Sequence, residues 1–239
     1  MSSSPTQNPE TCSESPSGMD RFEWEKKLTG QGIATLIGID EAGRGPLAGP
    51  VVAAAIHFPA IWYEKCLPDS LHAVHDSKQV GALRRQKLYK ELTQHPQVRC
   101  RIAEVDAPII DQINILKATH KAMSMTTENW EEPVPEHALV DGLPVKGLQC
   151  PHTALVKGDA RSFSVAAASI LAKVHRDNIM LKWDAMYPVY GFARHKGYAT
   201  VEHRRAILEH GPCPIHRRTF LGKLLAPNQT TFTWDGSNS

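Results

Sequence analysis

Along the 239-residue chain the apolar positions fall into short runs divided by polar turns, and the spacing within each run predicts an element. Residues 33–39 (IATLIGI) are rich in β-branched side chains and predict a strand. After a turn rich in glycine and proline, residues 51–58 (VVAAAIHF) predict a second, and so short a link predicts an antiparallel hairpin. Leu83, Leu88 and Leu92 stand among charges, as on an exposed helix. Residues 98–105 alternate, as a half-covered third strand does. Asp106 and Pro108 open a helix that should run towards Trp130. HALV at 137–140 and TALV at 153–156 lack alternation, the pattern of strands covered on both faces. From about Val165 to Met186, the residues Ala166, Ile170, Val174, Leu181 and Ala185 share one helical face. A last helix should start at Thr200, its N-cap, and stop at Gly211-Pro212. Together these elements predict an α/β chain: a hairpin and third strand, then strands alternating with helices.

The ends differ from this interior. Residues 1–22 are dominated by Ser, Pro and other polar residues and predict a disordered tail. Residues 225–239 predict a flexible one, Phe232 and Trp234 apart. That leaves 23–224 as one domain, long enough to bury a core without disulfides. Cys12, Cys66, Cys100, Cys150 and Cys213 are scattered with no Cys-x-x-Cys pair, which excludes a zinc ribbon and fits a reducing cytoplasm. No secretory h-region and no run of membrane-spanning length is present in the sequence. The net charge of +2 only weakly favours a polyanionic partner. Its distribution says more: between Tyr190 and Leu224 seven Lys or Arg face two acids, with His195, His203, His210 and His216 among them. Such a stretch predicts either phosphate contact or a solvated basic helix.

The candidate chemistry lies in the acids. Asp40 and Glu41 follow the first predicted strand, Asp141 follows HALV, and Asp159 lies just beyond TALV. Ligands of open α/β sheets bind beyond the carboxyl ends of strands, so neighbouring strands would bring four carboxylates to one crevice. Converging carboxylates stay ionised together only when cations neutralise them, and all-oxygen donors suit Mg²⁺ or Mn²⁺. Two such ions serve in-line phosphoryl displacement. The pattern alone is equally compatible with acids that merely begin turns.

Between the first two strands lies Asp40-Glu41-Ala42-Gly43-Arg44-Gly45-Pro46-Leu47-Ala48-Gly49-Pro50. Gly43 and Gly45 permit close backbone approach to a ligand, and Arg44 sits beside two acids. No Gly-Lys-Ser/Thr follows, so the loop is not a P-loop, and a strand rather than a helix comes next, which argues against a dinucleotide site. The loop closely resembles the signature of ribonuclease HII. The resemblance continues through Asp76-Ser77-Lys78, Asp111-Gln112-Ile113-Asn114, Val140-Asp141-Gly142, Val156-Lys157-Gly158-Asp159 and the segment from Ala167 to Val174. It then covers Arg176-Asp177, Tyr190-Gly191-Phe192, His195-Lys196-Gly197-Tyr198 and His216-Arg217-Arg218-Thr219-Phe220, in order.

What the resemblance implies is specific. The fold would be ribonuclease H-like, a central mixed five-stranded sheet flanked by helices, with a C-terminal helical extension. The activity would be hydrolysis of RNA in RNA–DNA hybrids and cleavage 5′ of a ribonucleotide embedded in duplex DNA, leaving 3′-hydroxyl and 5′-phosphate ends, in DNA replication and repair. Asp40, Glu41, Asp141 and Asp159 would be the catalytic acids that hold Mn²⁺ or Mg²⁺. Gly43, Arg44 and Gly45 would read the ribose 2′-hydroxyl, the group that separates RNA from DNA. Tyr198 would pack on the next deoxyribose. Lys78, Lys173 and Lys196 are candidates for phosphate contact. A cytoplasmic monomer is expected. Two departures from the family pattern are Leu143 after Asp141-Gly142 and Asn178 after Arg176-Asp177. Asp177 shares the predicted inward face of its helix, which implies a buried ion pair rather than metal binding. The sister family ribonuclease HIII shares the acid set but carries an additional N-terminal domain, for which the residues before the first predicted strand leave little room. A binding module that has lost catalysis is disfavoured because all four acids are present.

Overall fold

The computed structural model describes residues 20–64, 67–76, 81–130 and 132–226. Lys78, Phe232 and Trp234, and most of both predicted tails (1–19 and 227–239), lie outside the described residues. In chain order the elements are α1 (Glu23–Thr29), β1 (Leu36–Ala42), β2 (Val51–His57), α2 (Ile61–Glu64), α3 (Ala82–Gln94), β3 (Arg99–Val105), α4 (Ala107–Ile113) and α5 (Ile115–Thr127). They continue with β4 (His137–Asp141), β5 (His152–Leu155), α6 (Gly158–Arg161), α7 (Phe163–Met186), α8 (Phe192–His195), α9 (Val201–His210) and α10 (Gly222–Leu225).

The five strands form one sheet in the order β3-β2-β1-β4-β5. β1 and β2 make the predicted antiparallel hairpin, β3 adds antiparallel to β2, and β4 and β5 add parallel on the other side. The sheet is therefore mixed, and helices cover both faces. Alternation along β2 shows how: Val52, Ala54 and Ile56 join a core with Phe163, Ile170 and Leu171 of α7, while Val51, Ala53 and Ala55 join another with Ala118, Ala122 and Met123 of α5. A strand apolar at every position is what a central, doubly covered strand requires.

Several boundaries differ from expectation for local reasons. The helix expected from Asp106 towards Trp130 is two, because Asn114 takes a positive φ of 69°. The Asn114 side chain then caps α5 by accepting from the Lys117 N–H at 3.1 Å. Thr153 and Ala154 of the edge strand β5 are only half-buried, so the TALV run is not covered on both faces, and Val156 is an exposed residue beyond the strand. Helix α1 carries no prior periodic signal. It is held by Glu25, fully buried, which accepts from Ser162 Oγ at 2.6 Å and from the Ser164 N–H at 3.0 Å.

Helix α7 crosses β1 closely. Ser162 caps it by accepting from the Val165 N–H, and consecutive small residues Ala166, Ala167 and Ala168 are all buried. At Gly38 of β1 an added Cβ would lie 2.2 Å from the Ser164 backbone carbon. Backbone cannot swing aside as a flexible side chain can, so Gly38→Ala must push α7 off the sheet. We expect a loss of about 3 kcal/mol in urea unfolding for Gly38→Ala, with the denaturant slope unchanged. A loss below about 0.5 kcal/mol would show that the contact is slack.

Candidate active site

The turn between β1 and β2 is shaped from beneath by two buried arginines. Arg176 of α7 donates through Nε to the Pro50 carbonyl, through Nη2 to Ala48 and through Nη1 to Lys196, each at 3.0 Å. Arg217 donates through Nε to Gly49 at 3.0 Å, through Nη1 to Arg44 at 2.9 Å and through Nη2 to Gly43 at 2.6 Å. Gly43 has φ +97°, and a Cβ there would sit 2.1 Å from Arg176 Nε, so conformation and space both demand glycine. A trans peptide points its N–H opposite its carbonyl. With the Gly43 and Arg44 carbonyls turned down to Arg217, the N–H groups of Arg44 and Gly45 are turned away from it, towards the exposed side. Backbone bonds complete the clamp: Leu47 N–H to Gly197, Gly49 N–H to Ile215 and Arg217 N–H to Leu47, each 2.8 Å. Burial, then the neighbouring Arg176 charge, pull the Arg217 pKa down to about 9, still protonated at neutral pH.

The acids meet at the edge of this turn. Asp40 and Glu41 lie inside β1 rather than after it, paired with Ala54 and Ala53. Ile39 pairs with Val140 of the parallel neighbour β4, so Asp40 and Asp141 leave adjacent strands at the same end. Lys157 takes a left-handed turn after β5, and the Gly158 N–H donates to Asp141 Oδ1 at 2.6 Å, which brings Asp159 alongside. The Asp40 carboxyl is raised well above the usual range, by burial first and then by the charges of Glu41, Asp141 and, more weakly, Asp159. Burial also raises Glu41, against the opposing pull of Arg44, whose Nη1 lies 3.3 Å from Glu41 Oε1. Asp40 thus feels the charge of the other three acids, and Glu41 that of Asp141. Among the described residues no three His, Cys, Asp or Glu side chains close into a ready-made metal cage. Like charges oppose closure, and Glu41 and Asp141 are each drawn to a local donor.

Beside the acids lies an open recess of about 390 Å³ lined by Glu41, Gly43, Arg85, Ser169, Lys173 and Tyr198, among others. Tyr198 is 46% exposed, and its Cε1 lies 3.8 Å from where a Gly45 Cβ would stand, so its ring borders the glycine turn. Lys173 pairs with Asp177 at 2.6 Å, and the Lys196 ammonium donates to the Ala193 carbonyl. Asp177 is half-buried rather than inward. Beyond Val174 the buried face of α7 turns to Arg176 and Met180, leaving Leu181 and Ala185 exposed, because this half packs on a third core cluster with Tyr190, Phe192 and Ile207. Asn178 accepts from Gln86 at 2.9 Å, and Leu143 is exposed.

The family model for Ribonuclease HII matches residues 37–223. The chain belongs to the ribonuclease HII family. Ribonuclease HII of Caldicellulosiruptor saccharolyticus is 46% identical over 204 residues, covering 85% of this chain and 95% of the relative. That of Chloroflexus aggregans is 47% identical, covering 82% and 91%. The crystal structure of ribonuclease H2 from Pyrococcus horikoshii OT3 superposes with a TM-score of 0.65 at 27% identity, over 77% of this chain and 93% of that one. Bst-RNase HIII, solved in complex with Mn²⁺, shares the fold at TM-score 0.57 and 18% identity, over 85% and 69%. Ribonuclease HII enzymes are metal-dependent endoribonucleases that act on RNA–DNA hybrids, and the mixed sheet seen here is the family's.

Within this ribonuclease HII chain the arginine clamp was not legible beforehand. Arg176 and Arg217 belong to matched motifs, yet nothing in their spacing marks them as buried. Arg85 of the recess carried no signal, and Ser169 stood in a matched segment without a role of its own. The basic stretch resolves into different parts: Arg217 is buried, His203 and His216 are buried, and Arg218 and Thr219 offer backbone N–H groups to Asp111 of α4 at 2.7 and 3.0 Å. It is therefore in part a structural seam.

The raised Asp40 carboxyl has a stability consequence. A carboxyl that binds its proton more tightly folded than unfolded destabilises the fold as pH rises from its unfolded pKa through its folded one. Asp40→Asn is therefore expected to raise Tm in EDTA by a few degrees at pH 7.5, with the advantage vanishing at acid pH. An equal or lower Tm for the variant at pH 7.5 would contradict the coupling.

Proposed function

We propose that the chain cleaves on the 5′ side of a ribonucleotide embedded in duplex DNA, as well as RNA in RNA–DNA hybrids, leaving 3′-hydroxyl and 5′-phosphate ends. The observation that carries this reading is the electrostatic coupling of Asp40 to Glu41, Asp141 and Asp159 at the end of β1 and β4. Four mutually repelling oxygen donors match hard divalent cations, so these residues would hold Mn²⁺ or Mg²⁺ in a two-ion arrangement. Ions bound there would neutralise charge in an in-line displacement at phosphorus.

The protein's own residues supply recognition. The Arg44 and Gly45 N–H groups, turned outward by the arginine clamp, suit the acceptor lone pairs of a 2′-hydroxyl. The Tyr198 ring borders the same turn and offers a flat face to the following sugar, where a second 2′-hydroxyl would collide with it. Together they select the RNA-to-DNA junction. Lys173 at the recess offers charge to a backbone phosphate, as does Lys78 by its motif.

The test is a DNA duplex carrying one ribonucleotide, incubated with Mn²⁺ or Mg²⁺ and with EDTA, the product ends being mapped. Cleavage should fall 5′ of the ribonucleotide and disappear in EDTA. Asp40→Asn and Asp141→Asn should each lower turnover by more than about 100-fold while duplex binding persists. Near-normal turnover in either variant, or cutting 3′ of the ribonucleotide, refutes the reading.

A further inference from the structure

A chain of buried imidazoles runs from Tyr198 to the strand that clamps the glycine turn. The Tyr198 carbonyl accepts from the Thr200 N–H and lies 2.9 Å from His203 Nδ1. His203 Nε2 lies 3.0 Å from His216 Nε2, and His216 Nδ1 lies 3.0 Å from the Cys213 backbone nitrogen. These contacts admit one arrangement of protons among neutral rings. A carbonyl only accepts, so His203 carries its proton on Nδ1 and accepts at Nε2. His216 must then donate from Nε2 and accept from the Cys213 N–H at Nδ1. The Cys213 thiol, 3.1 Å from the same Nδ1, adds a second possible donor. Both rings are buried, which keeps them neutral by lowering each pKa to about 4. His195 stacks on His203 with centroids 4.4 Å apart, and accepts from the Gly197 N–H at Nδ1.

The far end of this relay is the glycine turn. His216 bridges Ala48 in an antiparallel pair, while its neighbours Ile215 and Arg217 bond Gly49 and Leu47. The Tyr198 ring itself is nearly half exposed and belongs to none of the three hydrophobic clusters among the described residues. Packing restrains only part of this ring, which leaves its backbone to help set its position relative to Gly45, and His203 holds that backbone from α9.

We propose that His203 and His216 are positioning residues that fix Tyr198 against the glycine turn and thereby set selectivity for the RNA-to-DNA junction, an inference that rests on the reading of Tyr198 given above. Neither ring touches substrate. A residue of purely structural importance would weaken all cleavage alike, whereas a residue acting through Tyr198 should change which substrate is preferred.

The experiment compares kcat/KM on a duplex with one embedded ribonucleotide and on a uniform RNA–DNA hybrid, for the full chain and four variants. His203→Leu should shift the ratio towards the hybrid by about tenfold or more. His203→Asn, whose amide nitrogen can replace Nδ1 as donor to the Tyr198 carbonyl, should recover most of the ratio. Tyr198→Ala should lose the preference, and adding His203→Leu to it should change the ratio no further. An unchanged ratio in His203→Leu beside a lost one in Tyr198→Ala overturns the positioning role alone. An unchanged ratio in Tyr198→Ala overturns the reading of that tyrosine and the positioning role with it. Should His203→Leu fail to fold, two-dimensional ¹H–¹⁵N spectra of the imidazoles decide on the unaltered protein together with His203→Asn. The Nδ1–H form at His203 and the Nε2–H form at His216 are expected, and any other pair of forms overturns the relay.

Discussion

Six hydrogen bonds from two buried guanidinium groups hold the acid-bearing end of this molecule in shape. Among the described residues Arg176 and Arg217 are the two largest fully buried side chains, and five of the six carbonyls they bond belong to the turn between β1 and β2. Burying a cation is expensive unless every donor finds an acceptor, and here each nitrogen does. The consequence runs outward. Carbonyls drawn down force N–H groups up, and a turn without a side chain at Gly43 becomes a rigid donor surface rather than a loose loop.

That rigidity matters because the neighbouring acids work against the fold. Asp40 is buried beside carboxylates of its own sign, a placement that stability alone would not favour. The parallel pairing of β1 with β4 and the close crossing of α7 at Gly38 hold the acids together regardless. The architecture therefore stores repulsion at one point and restrains it with packing spread over two cores. Such a concentration of negative charge at one point attracts hard cations.

The C-terminal segment binds these parts into one unit. Residues 213–217 bond the glycine turn on one side and His203 on the other, while Asp111 fastens the next two residues to α4. A stretch whose composition suggests a simple phosphate-binding surface thus carries its basic groups both inward and outward. Long polar side chains are amphipathic, so composition does not say which atoms are wet.

Much was legible in the sequence because it is local or periodic. The hairpin followed from two apolar runs and a short link, the starts of α4 and α9 from Asp106 with Pro108 and from Thr200, and the family from an ordered set of motifs beginning at Asp40. The acids were legible as candidates, being hydrophilic residues at the ends of apolar runs. Sequence by itself determined the main strands and the longest helix, the candidacy of Asp40, Glu41, Asp141 and Asp159 as oxygen donors, and the family. Tertiary structure alone decided that β1 and β4 are neighbours, that Arg176 rather than Asp177 points inward, and that His203 and His216 face each other. Those outcomes depend on which distant surfaces pack together, and helical or strand periodicity is blind to a partner contributed from far along the chain.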